Sequence, residues 1–130
     1  GVAICYEVVF PGMVRKIANL GTDFLVTITN DAWFGNTSAP YQHVDQVAMR
    51  AIEMRRSFAR AANTGISCVV DPTGVVRSAT EPYTRTYVID TIQTMSIRSV
   101  YAIIGDVFVY LCLALIAAAI LQSKLAARKK

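Results

Sequence analysis

The chain has 130 residues, 54% of them hydrophobic, with a formal net charge of +4 and a mean hydropathy of +0.41. That is long enough for one domain with a real core, and too apolar for an ordinary soluble one. Cys5, Cys68 and Cys112 form no C-x-x-C pair, which excludes a disulfide framework and a zinc pattern, and no metal or cofactor is expected.

In chain order, Gly1-Val2-Ala3-Ile4 runs straight into Cys5, Tyr6 and Glu7, with Pro11 and Gly12 shortly after. An apolar run bounded by turn residues predicts a buried strand. A cysteine at its end is placed as nucleophiles often are, because the strand fixes the backbone and the turn exposes the sulfur. Free cysteine is also among the most buried residue types, so an inert core thiol is the alternative. The chain opens without Met and inside this strand, which is read as the mark of a fragment of a longer protein.

Residues 12–20 are expected to form a short helix with Val14, Ile17 and Ala18 inward, Arg15 and Lys16 toward water, and Asn19 and Gly21 as its stop. Residues 23–30 are apolar and β-branched and predict a strand. Strand, helix and strand in that order point to a parallel βαβ unit with both faces of the sheet covered. Asn30-Asp31-Ala32-Trp33-Phe34-Gly35-Asn36 is then a loop at a strand's C-terminal end, the usual place for ligand contacts in α/β folds. The other reading of this loop is a turn with Trp33 and Phe34 tucked into the core.

Ser38 and Pro40 start a helix expected over 41–62. Its apolar face holds Val44, Val47, Ala48, Ala51, Phe58, Ala59 and Ala62. Arg50, Glu53, Arg56 and Arg60 lie on other faces, with Arg50–Glu53 and Glu53–Arg56 spaced to pair. Asn63 and Gly65 end it. His43, the one histidine, lacks a partner motif and is read as structural. Residues 66–71, a type I turn at Asp71-Pro72-Thr73-Gly74 and residues 75–79 predict a hairpin, with Cys68 packed inside. Residues 84–92 are expected to be a final strand.

From 102 to 122 the only charged residue is Asp106. As one helix at ~1.5 Å per residue this stretch would cover about 30 Å, enough for a bilayer core. Lys124, Arg128, Lys129 and Lys130 follow it, against Arg98 alone before it. That asymmetry favours a membrane span with a cytoplasmic C-terminus over a buried soluble helix. Tyr101 and Tyr110 would help anchor its other end, Cys112 would serve as a small apolar residue, and the α/β portion would be extracytoplasmic. The basic tail is short and lacks interleaved aromatics, which argues against nucleic-acid binding.

Cys5-Tyr6-Glu7 behind its apolar strand, Asn30-Asp31-Ala32-Trp33-Phe34-Gly35, and the stretch from Arg50 to Arg60 followed by Asn63-Thr64-Gly65-Ile66 together resemble the carbon–nitrogen hydrolase (nitrilase) superfamily. Tyr101, Gly105 and Asp106 leading into a terminal apolar helix are similar to its lipoprotein N-acyltransferase branch. The resemblance covers essentially the whole chain. It implies an α/β fold, a partial nitrilase-like α-β-β-α sandwich followed by one C-terminal transmembrane helix. Residues 1–95 would be the C-terminal part of a hydrolase domain, 96–101 a linker, 102–122 the span and 123–130 a basic cytoplasmic tail.

The resemblance further implies Cys5 as the nucleophile of a Glu–Lys–Cys triad, with the backbone N–H of Tyr6 aiding the oxyanion. It implies a supporting carboxylate at Glu7, and Trp33 and Phe34 bordering the acyl or lipid pocket. The triad glutamate and lysine have no counterpart here, since Lys16 and Glu53 stand outside the matching motifs, so the isolated chain is expected to be inactive. The implied reaction moves a fatty acyl group from a phospholipid, through a cysteine thioester, to the α-amine of an apolipoprotein's lipid-modified N-terminal cysteine. The implied place is a bacterial inner membrane with the catalytic domain in the periplasm, without cofactor or nucleic acid. A membrane-tethered amidase and a non-catalytic membrane-anchored pseudoenzyme are the alternatives.

Overall fold

The computed structural model describes residues 1–128. β1 (Val2–Ile4), β2 (Leu25–Asn30) and β3 (Phe58–Asn63) lie side by side and parallel. β4 (Cys68–Val70) and β5 (Val76–Ala79) extend the sheet antiparallel, in the order β1-β2-β3-β4-β5. α1 (Pro11–Ala18) and α2 (Ala39–Met54) are the crossovers that parallel pairing requires. The expected βαβ unit is therefore present.

Side chains alternate along the strands. Leu25, Thr27 and Thr29 of β2 are buried while Ile28 and Asn30 are exposed. Register sets Ala3 beside Thr27 and Thr27 beside Arg60. One face thus carries Ala3, Leu25 and Phe58 onto Val14, Ala18, Val44, Val47 and Ala51. On the other face Val2, Ile4 and Ile28 are exposed, Ile4 by 61%. Among the described residues the sheet is covered on one face, not on both as expected.

The helix expected over 41–62 ends early, and its last third is β3. Arg55 closes α2 in the left-handed conformation (φ 52°, ψ 50°), its N–H reaching back to the carbonyls of Ala51 and Ile52. From Phe58 onward the chain is hydrogen-bonded between β2 and β4, a role that a helix would leave unfilled. The arginines placed on the expected helix's other faces, Arg50, Arg56 and Arg60, are buried. Arg50 bonds Glu53 at 2.9 Å as expected. Arg56 instead donates to the carbonyls of Thr22 (2.6 Å) and Ile97 (2.5 Å), so the Glu53–Arg56 pair does not form.

The hairpin is as expected. Asp71 Oδ1 accepts from the Thr73 hydroxyl and N–H and from the Val75 N–H. Chiefly the Thr73 hydroxyl holds this carboxyl below the usual range. Cys68 is buried, and burial pushes its thiol up to about 11. Residues 84–92 do not form the expected strand. Single contacts hold the segment around it instead of a ladder: Tyr83 N–H to Thr64 O, Ser78 to Asp90, and Ser57 to Gln93 O.

The terminal apolar run is two helices, not one. α3 (Val100–Ile104) is capped by Ser99, whose Oγ accepts from the Ala102 N–H at 2.9 Å. Gly105 (φ 63°, ψ −136°) stops it in a conformation that suits only glycine. α4 (Val107–Arg128) follows. Its stretch Val107–Ala127 has a mean hydropathy of 2.0, is long and apolar enough to cross a membrane, and has no buried part within the chain. Of the basic tail, Lys129 and Lys130 lie outside the described residues.

Candidate active site

Cys5 is the first residue after β1 and sits at φ 51°, uncommon for a residue with a Cβ. It opens a 3₁₀ turn, Cys5–Val9, held down by the fully buried Val8. Glu7 folds back over the same turn, and its Oε2 accepts the Ile4 N–H at 2.7 Å. Two features brace the cysteine: the strand before it and the carboxylate two residues after it. The side chain of Cys5 is half-buried.

Tyr6 is exposed, its ring edge-on to Phe10 at 5.9 Å and 6.2 Å from the ring of His43. Phe34 also meets His43 edge-on, with centroids 6.0 Å apart. Tyr6, Val9, Phe34, Gln42, His43 and Gln46 line a cavity of about 190 Å³ beside the Cys5 turn. Of the residues expected at the site, the fold brings Tyr6 and Phe34 together on this cavity, one residue along from Cys5. Trp33 does not line it. It stands 86% exposed on the turn Asp31–Phe34, which excludes the reading that tucks it into the core. Lys16 is exposed on α1, and Glu53 is engaged with Arg50. Burial raises the Glu53 carboxyl above its ordinary range, against the opposing pull of Arg50.

Beneath the cavity is a cluster that the sequence did not reveal. Asp31 follows β2 directly and is wholly buried. Its Oδ2 accepts from Arg60 Nη2 at 2.6 Å, and its Oδ1 accepts from the Thr29 hydroxyl at 3.1 Å. His43 Nδ1 lies 3.1 Å from Oδ1 and 3.2 Å from Arg60 Nη2, so with its proton on Nδ1 the ring donates to the carboxylate. Arg60 also donates through Nε to the Ile66 carbonyl at 3.0 Å. Burial, then Arg60, pushes His43 below its ordinary value of 6.5, with Asp31 pulling the other way. Gly65 is pressed onto Asp31, where a Cβ would overlap the carboxylate.

One buried charge pair therefore ties the Asn30–Gly35 motif to the Asn63–Ile66 motif, and His43 joins that pair while also lining the cavity. The signal that could have found Arg60 is its period-two spacing from Phe58, both being buried on one face of β3.

Residues 1–102 match the carbon–nitrogen hydrolase family. The apolipoprotein N-acyltransferase of Geobacter metallireducens is 39% identical over all 130 residues, which cover 24% of that protein. The chain thus spans about a quarter of the length of this curated relative. Among solved structures, a mutant of the Nesterenkonia AN1 amidase from the nitrilase superfamily is 28% identical, with a TM-score of 0.51 over 62% of this chain and 34% of that one. A second mutant of that amidase, 29% identical with a TM-score of 0.50 over the same shares, shows covalent addition of the acetamide moiety of fluoroacetamide at its active site cysteine.

Proposed function

Because the chain belongs to the carbon–nitrogen hydrolase family, we propose that it is the nucleophile-bearing part of a membrane-tethered N-acyltransferase that matures lipoproteins. One observation carries the reading: the same chain holds Cys5 on a braced turn at the end of a core strand and an apolar helix, α4, fit to cross a membrane. The likeness to the Geobacter protein supports the acyl acceptor, and the cysteine adduct in the Nesterenkonia amidase supports the attacking atom.

On this reading the Cys5 thiolate attacks the ester carbonyl of a phospholipid. An S–C bond forms, the ester C–O bond breaks, and the lysophospholipid oxygen leaves with a proton. The α-amine of the lipid-modified N-terminal cysteine of an apolipoprotein then attacks the thioester. A C–N bond forms, the S–C bond breaks and the amine gives up a proton. A thiolate suits both halves, being a strong nucleophile and a good leaving group. The backbone N–H of Tyr6 steadies the oxyanion, Glu7 supports the turn as its bond to Ile4 does here, and Trp33 and Phe34 border the acyl chain.

The general base and the lysine of the triad are not supplied by these residues, so activity needs segments besides this chain. The reading divides it into a hydrolase part to residue 95, a linker, a span and a cytoplasmic tail. The α/β part lies in the periplasm of a bacterial inner membrane.

The test is mass spectrometry of the complete enzyme incubated with phospholipid. The peptide containing Cys5 is expected to gain an acyl group that Cys5→Ala and Cys5→Ser lose, and the isolated 130 residues are expected to gain none. A normal acyl-thioester signal in Cys5→Ala overturns the assignment. The amidase likeness favours a second reading, release of the acyl group to water. Acyl-enzyme that turns over without any amine acceptor would select it. Absence of acyl-enzyme altogether would leave the pseudoenzyme.

A further inference from the structure

α3 is only five residues long, and little but Ala102 is buried in it, yet polar groups of the hydrolase part hold it from several sides. The guanidinium of Arg15, on α1, donates through Nε to the carbonyls of Tyr101 (3.1 Å) and Ala102 (3.0 Å), and through Nη2 to that of Ile103 (2.7 Å). Asn19 Nδ2 adds a bond to the Ala102 carbonyl at 2.9 Å. At the other end of α3 the Ser99 hydroxyl bonds the Glu53 carbonyl of α2. The last carbonyls of a helix lack internal partners and form its negative pole, so a cation among them is doubly favoured. Gly105 closes against the same guanidinium, which a Cβ there would meet at 3.2 Å.

The connectivity gives these bonds a purpose. The turn that begins with Cys5 ends at Val9, and α1 starts at Pro11. On the other side only Gly105 and Asp106 separate α3 from α4. A short path therefore runs from the Cys5 turn through α1, Arg15 and α3 to the apolar helix. Arg15 was expected to face water, and the side chain instead grips α3, the element that leads into α4.

We propose that Arg15, assisted by Asn19, is a positioning residue: by clamping α3 it sets the height and tilt of the Cys5 turn over the bilayer that α4 enters. This rests on the functional reading above. The clamp matters to a donor held in the membrane, whose ester must meet the sulfur at one depth, and is irrelevant to a donor that diffuses in from water.

The complete enzyme in vesicles of phosphatidylethanolamine and phosphatidylglycerol separates the two cases. Acylation of Cys5 is measured from the vesicle lipid and, in parallel, from p-nitrophenyl butyrate in solution. Arg15→Ala is expected to slow acylation from the bilayer about tenfold or more, the factor that one charge-assisted hydrogen bond is worth, and acylation from the soluble ester less than about twofold. Arg15→Lys, which keeps the charge and loses the planar fork, should fall between. Should Arg15→Ala not fold, Asn19→Ala carries the same test with a bilayer-selective loss of about threefold to fivefold. An equal loss with both donors, or no loss with either, overturns the clamp alone. An unmodified enzyme that takes no acyl group from phospholipid overturns the functional reading and the clamp with it.

Discussion

Asp31 is buried out of reach of water, and Arg60, Thr29 and His43 surround its carboxyl group. A buried pair of this kind is costly to break, because removing one member leaves the other charged and unsolvated. The histidine adds a pH dependence whose sign is fixed. Its folded value is depressed, so the unfolded chain binds the proton more readily. The contribution to stability is complete above about pH 6.5 and is lost as the pH falls through the lower, folded value. Urea midpoints measured at falling pH should therefore drop in the parent chain, and His43→Gln should flatten that slope. A parent midpoint that rises on acidification would refute the arrangement.

The thiols make a second test at this scale. Cys68, pushed up to about 11 by burial, should resist a maleimide at pH 8 until denaturant is added, as read by mass spectrometry. The strand-end place of Cys5 was legible from sequence because its cues are neighbours in the chain: an apolar strand, a turn and a carboxylate two residues on. The Asp31–Arg60 pair was not, because it joins residues 29 apart that meet only after β2 and β3 have paired.

Among the elements, α2 and β3 show how one stretch satisfies two patterns. Phe58, Ala59 and Ala62 fit a helix face, and Phe58 and Arg60 fit the inner face of a strand. Local periodicity cannot choose between them. Non-local pairing does, by seating residues 58–63 between β2 and β4, and the chain then has to leave the helix at Arg55. Arg55 is exposed and left-handed, a conformation that costs a residue with a Cβ about 1 kcal/mol or more. Arg55→Gly should therefore stabilise the chain by about 0.5–1 kcal/mol, after the greater freedom of glycine in the unfolded state is offset. An unchanged or lower urea midpoint would count against the closure described.

For the whole molecule, the question is how a one-sided α/β layer and an apolar helix share a chain. Among the described residues α4 buries nothing against the layer, and the functional reading above gives its apolar side chains a membrane to enter. A charge at its middle should then oppose insertion by about 2.5–3.5 kcal/mol. Leu115→Lys is expected to shift the chain toward the carbonate-extractable fraction, and full retention in the membrane pellet would contradict a spanning role.

The family resemblance, the opening strand with its cysteine, the parallel βαβ unit, the hairpin and an apolar terminal segment were all determined by the sequence alone. Each rests on residues close together in the chain, where hydrophobic period and turn chemistry are sufficient. Tertiary structure alone decided that residues 58–63 are strand and 84–92 are not. It also decided that three arginines are buried, that Trp33 is left exposed, and that the apolar run breaks at Gly105 so that Arg15 can grip α3. Those outcomes depend on which carbonyls and carboxylates arrive beside a given side chain once distant segments pack. A linear pattern carries no record of that.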